Sequence, residues 1–295
     1  MVWVSFMKKV CGRDKRIILL QKGAATSTPI LNAVSTNFTT TATGTTTTSW
    51  PHATSFGTNR LLVLTADILQ GMAGTGSISS ASYAGLPLTQ AATSRSGSIE
   101  SELWYLLAPP SGTNTIVVNT LGTTSAMKFS LSDYTGVSQS GLDATSSANG
   151  TTGTPSASVT THLAGDLVLS TLSRNSTTAA TTNRTSLFND VSSATLAAAS
   201  YQVSGAAGSI SDTYTGTATQ SWFISTAAFK AAPTAAAATT SSTYYIHPDH
   251  LGGVNALTDS SGLLNENLQY YPYGALRTDT LNGVYTGSTK KYIGQ

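Results

Sequence analysis

Glu100 and Glu102 are the two residues of this 295-residue sequence best spaced for catalysis. Two positions apart on a strand, they project from one face. Same-face neighbours approach the separation of about 5 Å between the acid and nucleophile of retaining glycosidases. Such enzymes usually carry a third acid further along the strand, and Leu103-Trp104-Tyr105-Leu106 supplies none. The pair therefore reads as the solvated face of an otherwise uncharged strand. His247-Pro248-Asp249-His250 gathers two imidazoles and a carboxylate, donor types that hold zinc. Pro248 stiffens that run and no distant third ligand is evident, since His52 and His162 are the only other histidines. The single cysteine, Cys11, excludes a disulfide framework and a Cys-based zinc site. P-loop, dinucleotide fingerprint and Gly-x-Ser-x-Gly elbow are all missing from the sequence. No catalytic, cofactor or metal residue is assigned, and the expectation is a non-enzyme.

The elements that must position these residues have period two. Arg60 to Ala66 is a buried strand of apolar-run type, and Ile99 to Leu107 starts alternating and ends apolar. Thr115–Asn119, Met127–Tyr134, Asp166–Leu172 and Ser221–Phe229 follow as further strands, with turn residues between them. Ser192 to Tyr201 is the one stretch with helical composition; its Thr/Ser-rich flanks favour a strand-linked segment. The expected fold is all-β: an antiparallel β-sandwich of roughly a dozen strands. Tyr83-Ala84-Gly85-Leu86 predicts a hairpin. Trp104 and Trp222 are expected as large anchors packed between the two sheets.

Composition fits this picture. Only 9% of residues are charged, about a third of the usual fraction, and 90 Ser and Thr fill the deficit. Hydrophobic content of 40% argues against general disorder. Six of the fifteen cations lie between Lys8 and Lys22, whereas residues 23–230 hold six cations and eight anions. A basic face for nucleic acid is therefore excluded. No run of about 18 apolar residues exists to span a membrane. Ile17-Ile18-Leu19-Leu20 is too short for a signal-peptide core, so the sequence carries no convincing signal peptide. Four segments separate: a basic, disordered leader (1–30), the sandwich (31–231), an Ala/Thr/Ser linker (232–243) and a Tyr-rich tail (244–295) holding seven of the twelve tyrosines.

Two resemblances follow from motifs. Asn59-Arg60-Leu61-Leu62-Val63, Tyr83-Ala84-Gly85-Leu86-Pro87-Leu88, Glu102 to Thr113, Tyr134-Thr135-Gly136-Val137 and Ala164-Gly165-Asp166-Leu167-Val168 resemble a β-sandwich module of bacterial cell-surface and secreted proteins. That resemblance implies a jelly-roll or concanavalin-like sandwich and brings no catalytic residue. The tail resembles the RHS (YD-repeat) associated core. His247, Asp249, His250, Leu251 and Gly252 match its opening, and Asp259 and Gly262 its following turn. Tyr270, Pro272, Tyr273 and Gly274 match its Y-x-P-F-G element, and Lys291-Tyr292-Ile293-Gly294-Gln295 the start of its last motif. Gly253 and Tyr273 replace the usual Ser and Phe. In the family the chain continues to complete a shell around a toxin or other cargo, so the expectation is a fragment of a longer RHS polypeptide with a short β-hairpin tail. The implied setting is the bacterial surface or extracellular space, and the implied partner a carbohydrate or cell-surface ligand. Rival readings are the carrier portion of a polymorphic toxin and a glycoside hydrolase.

Overall fold

The computed structural model describes residues 3–4, 20–21, 26–42, 46–70, 76–233 and 245–281, apart from a few single positions and short turns within them. It divides into two compact units: Ala25–Thr234, and Met1–Ala24 with Ala235–Gln295. Among the described residues every named element is a strand, and no helix is long and apolar enough to cross a membrane.

In the second of these units, β1 (Trp3–Val4) pairs with β2 (Leu20–Gln21). The tail's strands β20 (Tyr245–Pro248), β21 (Val254–Thr258), β22 (Leu264–Tyr270) and β23 (Leu276–Leu281) form one antiparallel meander. The tail, expected as a short β-hairpin segment, is a four-stranded sheet, with Val254, Leu257 and Leu268 buried and Ile246 and Tyr270 packed beside them.

Unit Ala25–Thr234 holds β3 (Ile30–Ala42), β4 (Thr46–Thr54), β5 (Leu61–Gln70), β6 (Ser77–Tyr83), β7 (Leu86–Pro87), β8 (Thr89–Ser96), β9 (Ile99–Leu107), β10 (Gly112–Leu121) and β11 (Thr124–Thr135). It continues with β12 (Val137–Gly150), β13 (Ser156–Thr161), β14 (Leu167–Arg174), β15 (Thr181–Thr182), β16 (Thr185–Asp190), β17 (Leu196–Val203), β18 (Gly208–Thr215) and β19 (Trp222–Ala231). The segment of helical composition is thus strand β17. Where two sheets were expected there are four, in the orders β4-β10-β6-β7, β3-β11-β5-β9-β8, β12-β19-β14-β17-β16 and β13-β18-β15; they are sheets I to IV.

Side-chain alternation fixes how the sheets stack. On β5, Leu62, Leu64, Ala66 and Ile68 pack with Trp50, Tyr83, Ile116 and Val118 of sheet I. Leu61 and Val63, on the opposite face, pack with Leu167, Leu169 and Phe229 of sheet III. On β14 and β19, Leu172, Ile224 and Trp222 turn the other way, onto Ala157 and Tyr214 of sheet IV. The order is therefore I, II, III, IV, with II and III covered on both faces. Coverage on both faces is why β5 and β14 read as apolar runs rather than alternations, and why all eight residues of β14 are buried.

The two halves repeat one another. Substituting β12, β13, β14, β15, β16, β17, β18 and β19 for β3, β4, β5, β6, β8, β9, β10 and β11 converts the strand order of sheets II and I into that of III and IV. The register repeats as well: Leu61 lies between Leu107 and Tyr134, and Leu167 between Val203 and Phe229. A bulge follows Gln90 on β8 and Ser186 on β16 at the same rung. Leu61-Leu62-Val63-Leu64-Thr65 and Leu167-Val168-Leu169-Ser170-Thr171 are the corresponding stretches that look most alike in sequence.

Candidate functional site

Glu100 and Glu102 do share a face of β9, but they are not solvated. They point into the first sandwich, with 3% and 0% of their surface exposed, and the expectation of a surface role is corrected. Trp104 and Leu106, on the same face, pack beside its core. Glu102 accepts hydrogen bonds from the Ile78 amide (3.1 Å), Gln90 Nε2 (2.9 Å) and Trp104 Nε1 (2.6 Å). Burial, reinforced by the neighbouring Glu100, raises its pKa from 4.5 to about 7. Thr93 Oγ1 donates to Glu100 (3.2 Å), and Arg95 Nε lies 3.9 Å away. The pair is thus enclosed by its own partners.

At the same rungs of the second sandwich the large groups are gone. Ala198 stands where Glu102 does, Ser200 where Trp104 does, and Ser186 where Gln90 does. A shallow depression, open to solvent, lies in this region, lined by Ala180, Thr181, Thr182, Arg184, Ser186, Asn189, Ala198 and Tyr214. Ser186 and Asn189 are exposed, and Asn189 Nδ2 donates to the Ala180 carbonyl. Arg184 and Tyr214 also belong to a buried network. Arg184 Nη1 donates to Ser170 Oγ (3.1 Å) and sits 3.7 Å from Asp212, with both side chains fully buried. Asp212 accepts from Ser200 Oγ (2.6 Å) and Thr182 Oγ1 (3.0 Å), and the Tyr214 hydroxyl lies 3.0 Å from Ser200 Oγ. Arg184 Nε has no partner. Burial lowers the Arg184 pKa and raises that of Tyr214, the latter helped by the Asp212 charge.

A Ser–His–Asp chain escaped the sequence reading because its members lie on three strands. Ser35 Oγ is 2.8 Å from His52 Nδ1, and His52 Nε2 is 3.5 Å from Asp133 Oδ1. Ser35 Oγ also accepts from Trp50 Nε1 (3.0 Å), and Asp133 accepts the Ser55 amide (3.0 Å). His52 is 3% exposed and meets the Tyr83 ring edge-on. These contacts tie β3, β4 and β11 together. Across the middle layers, Lys128 of β11 does the same work. Its Nζ donates to Asp190 Oδ1 (2.6 Å) and to the carbonyls of Ser192 (2.8 Å) and Thr195 (2.7 Å), joining sheet II to the β16–β17 connection.

The two tryptophans expected as anchors, Trp104 and Trp222, fall one in each sandwich. Trp222 is buried in the second core, where its ring lies against Gly150. Trp104 is half-buried beside the first. In the tail, Asp249 Oδ1 accepts the amides of Leu251 (2.9 Å) and Gly253 (2.8 Å). Asp259 Oδ1 accepts those of Ser261 (2.8 Å) and Leu263 (3.0 Å) in the next turn, which Gly262 completes at φ +85°. His247 Nε2 contacts Thr258 Oγ1 (2.9 Å) across the β20–β21 pair, so the imidazole and carboxylate serve hairpin geometry. His250 and Leu251 occupy the exposed turn, and Pro272, Tyr273 and Gly274 the turn after β22. The Tyr270 hydroxyl donates to the Val254 carbonyl (2.8 Å). Gly252 and residues 291–295 lie outside the described residues. Among the described residues no group of three His, Cys, Asp or Glu side chains is placed to hold a metal. Set against known proteins, the chain matches no family, no curated protein and no solved structure.

Proposed function

We propose that this chain is a non-enzymatic bacterial surface or secreted protein of RHS type, in which the double sandwich serves as a binding or spacer module. One observation carries the reading: Glu100 and Glu102, the pair best spaced for glycoside hydrolysis, are sealed between sheets I and II by Gln90, Trp104 and the Ile78 amide. In each half the strands alternate between two facing sheets, the path of a jelly roll, which is the finer fold we assign. Such folds carry many functions, so the argument rests on the residues and not on the architecture. The RHS assignment of the tail rests on its motif order and on Asp249 and Asp259 closing successive hairpin turns. The exposure of all six residues of β23 fits a segment that belongs to a longer RHS polypeptide. Replacing both acids, Glu100→Gln with Glu102→Gln, tests the reading on the full chain. Fold and any glycan binding should persist; glycan cleavage that vanishes in the double variant contradicts it.

A further inference from the structure

We propose that Lys128 Nζ and the Asp190 carboxyl join in an intramolecular amide bond, which staples β11 of sheet II to the end of β16 in sheet III. The two groups stand as a reactant pair. Nζ lies 2.6 Å from Asp190 Oδ1 and so is within reach of Cγ, the atom it would attack. The Lys128 side chain is buried, and the carbonyls of Asp190 (3.2 Å), Ser192 (2.8 Å) and Thr195 (2.7 Å) hold its amine against the carboxyl. Partners fixed in this way meet without the entropic cost of finding one another. On the acid side, the Ser192 amide (3.0 Å) and Ser192 Oγ (2.6 Å) both donate to Oδ1. They polarise the carboxyl and are placed for the oxyanion that forms when nitrogen adds to Cγ.

Asp67 is the third member. It stands opposite Lys128 at the same rung of the β5–β11 pair, is buried, and accepts the Thr171 hydroxyl from sheet III. Burial raises its pKa well above the usual carboxylate value, which suits it to relay a proton. The step balances without a cofactor. Its reactant is the ion pair: burial pushes the Asp190 pKa up, but hydrogen bonds from Lys128 and Ser192 hold it below the usual value. The C–N bond forms between Nζ and Cγ, and the bond from Cγ to Oδ2 breaks. Two of the three ammonium protons leave with that oxygen as water, one of them relayed through Asp67, and the third stays on the amide nitrogen. The Asp190 side chain is 27% exposed, so the water has a way out. Two charges held partly out of water become one neutral amide, which removes their desolvation cost. The fold by itself does not demand these groups: at the matching rungs of the other half, Phe223 stands for Lys128, Ser173 for Asp67 and Ser94 for Asp190.

Intact-mass spectrometry of the purified full chain tests the bond. The chain should be lighter than its sequence by one water, and a proteolytic digest should contain a branched peptide that joins Lys128 to Asp190. Lys128→Arg and Asp190→Ala should each restore the full mass, and either one answers should the other fold poorly. Asp67→Asn keeps the shape of the side chain but relays no proton. It should slow linkage about hundredfold, read as the linked fraction against time, with a thermal melt confirming that the variant is folded. A folded wild-type chain that keeps its full mass overturns the proposal, as does a lost water mapped to any other pair of residues. Linkage at the wild-type rate in Asp67→Asn overturns the part given to Asp67.

Discussion

Glu102 couples this fold to pH. Its folded pKa of about 7 exceeds the ordinary 4.5, because ionising it places charge between two sheets beside Glu100. A raised carboxyl pKa contributes stability that is complete below about pH 4.5 and disappears as pH rises through about 7. The shift corresponds to about 3 kcal/mol. Buried Asp67, whose pKa is also raised by burial, acts in the same direction. The melting temperature should therefore fall between pH 4.5 and 7, and Glu102→Gln should flatten most of that fall. A melting profile equally steep in the variant would remove Glu102 from the explanation. None of this was legible in the sequence. Glu-Ser-Glu on an alternating strand looks solvated, and only the packing of Ile78 and Gln90, distant along the chain, turns that face inward. The Ser35–His52–Asp133 chain was hidden for the same reason.

At the scale of elements the sequence was more informative. Runs such as Leu61 to Leu64 and Leu167 to Leu169 located the central strands, and Ala84-Gly85 located a hairpin whose two turn residues have positive φ. Apolar runs rather than alternation also announced burial on both faces, but they do not say what covers the second face. Low charge leaves few Lys gatekeepers on sheet edges. The edges rely instead on Pro51 in β4, which lacks an amide hydrogen, and on the bulges of β8 and β16. The joint between the halves is Gly136, at φ +80°, whose carbonyl accepts from Ser27 Oγ (2.9 Å) and the Ala232 amide (2.8 Å). A Cβ there would lie 2.9 Å from the Thr28 carbonyl oxygen, whereas at Gly153, φ +84°, it would meet open space. Gly136→Ala should cost about 2–3 kcal/mol, against about 1 kcal/mol for Gly153→Ala. Urea unfolding of both variants measures the difference. Equal losses would mean that the Thr28 contact is immaterial and only backbone strain counts.

For the whole molecule, residues 25–234 are one body made of two like halves. Sheets II and III bury each other's inner faces through Leu61, Val63, Leu103, Leu167, Leu169 and Phe229, so neither half keeps its core when the other opens. The repeat was hidden in the sequence because it lies in register more than in identity: Ala198 stands where Glu102 does, and Ser200 where Trp104 does. Lys128 is one of the polar links across the middle layers, beside the Thr171–Asp67 and Ser225–Ser101 hydrogen bonds; it is 2% exposed and bonded to Asp190, Ser192 and Thr195. Asp190 is partly exposed, so losing the Lys128 charge with its hydrogen bonds should cost on the order of 2 kcal/mol. Hydrogen exchange on the full chain, with and without Lys128→Met, tests the unity of the body most directly. Amides of Leu61–Leu64 in β5 and Leu167–Leu169 in β14 should share one opening free energy and lose equal protection in the variant. Protection lost in one sandwich and retained in the other would show two independent domains and contradict the account.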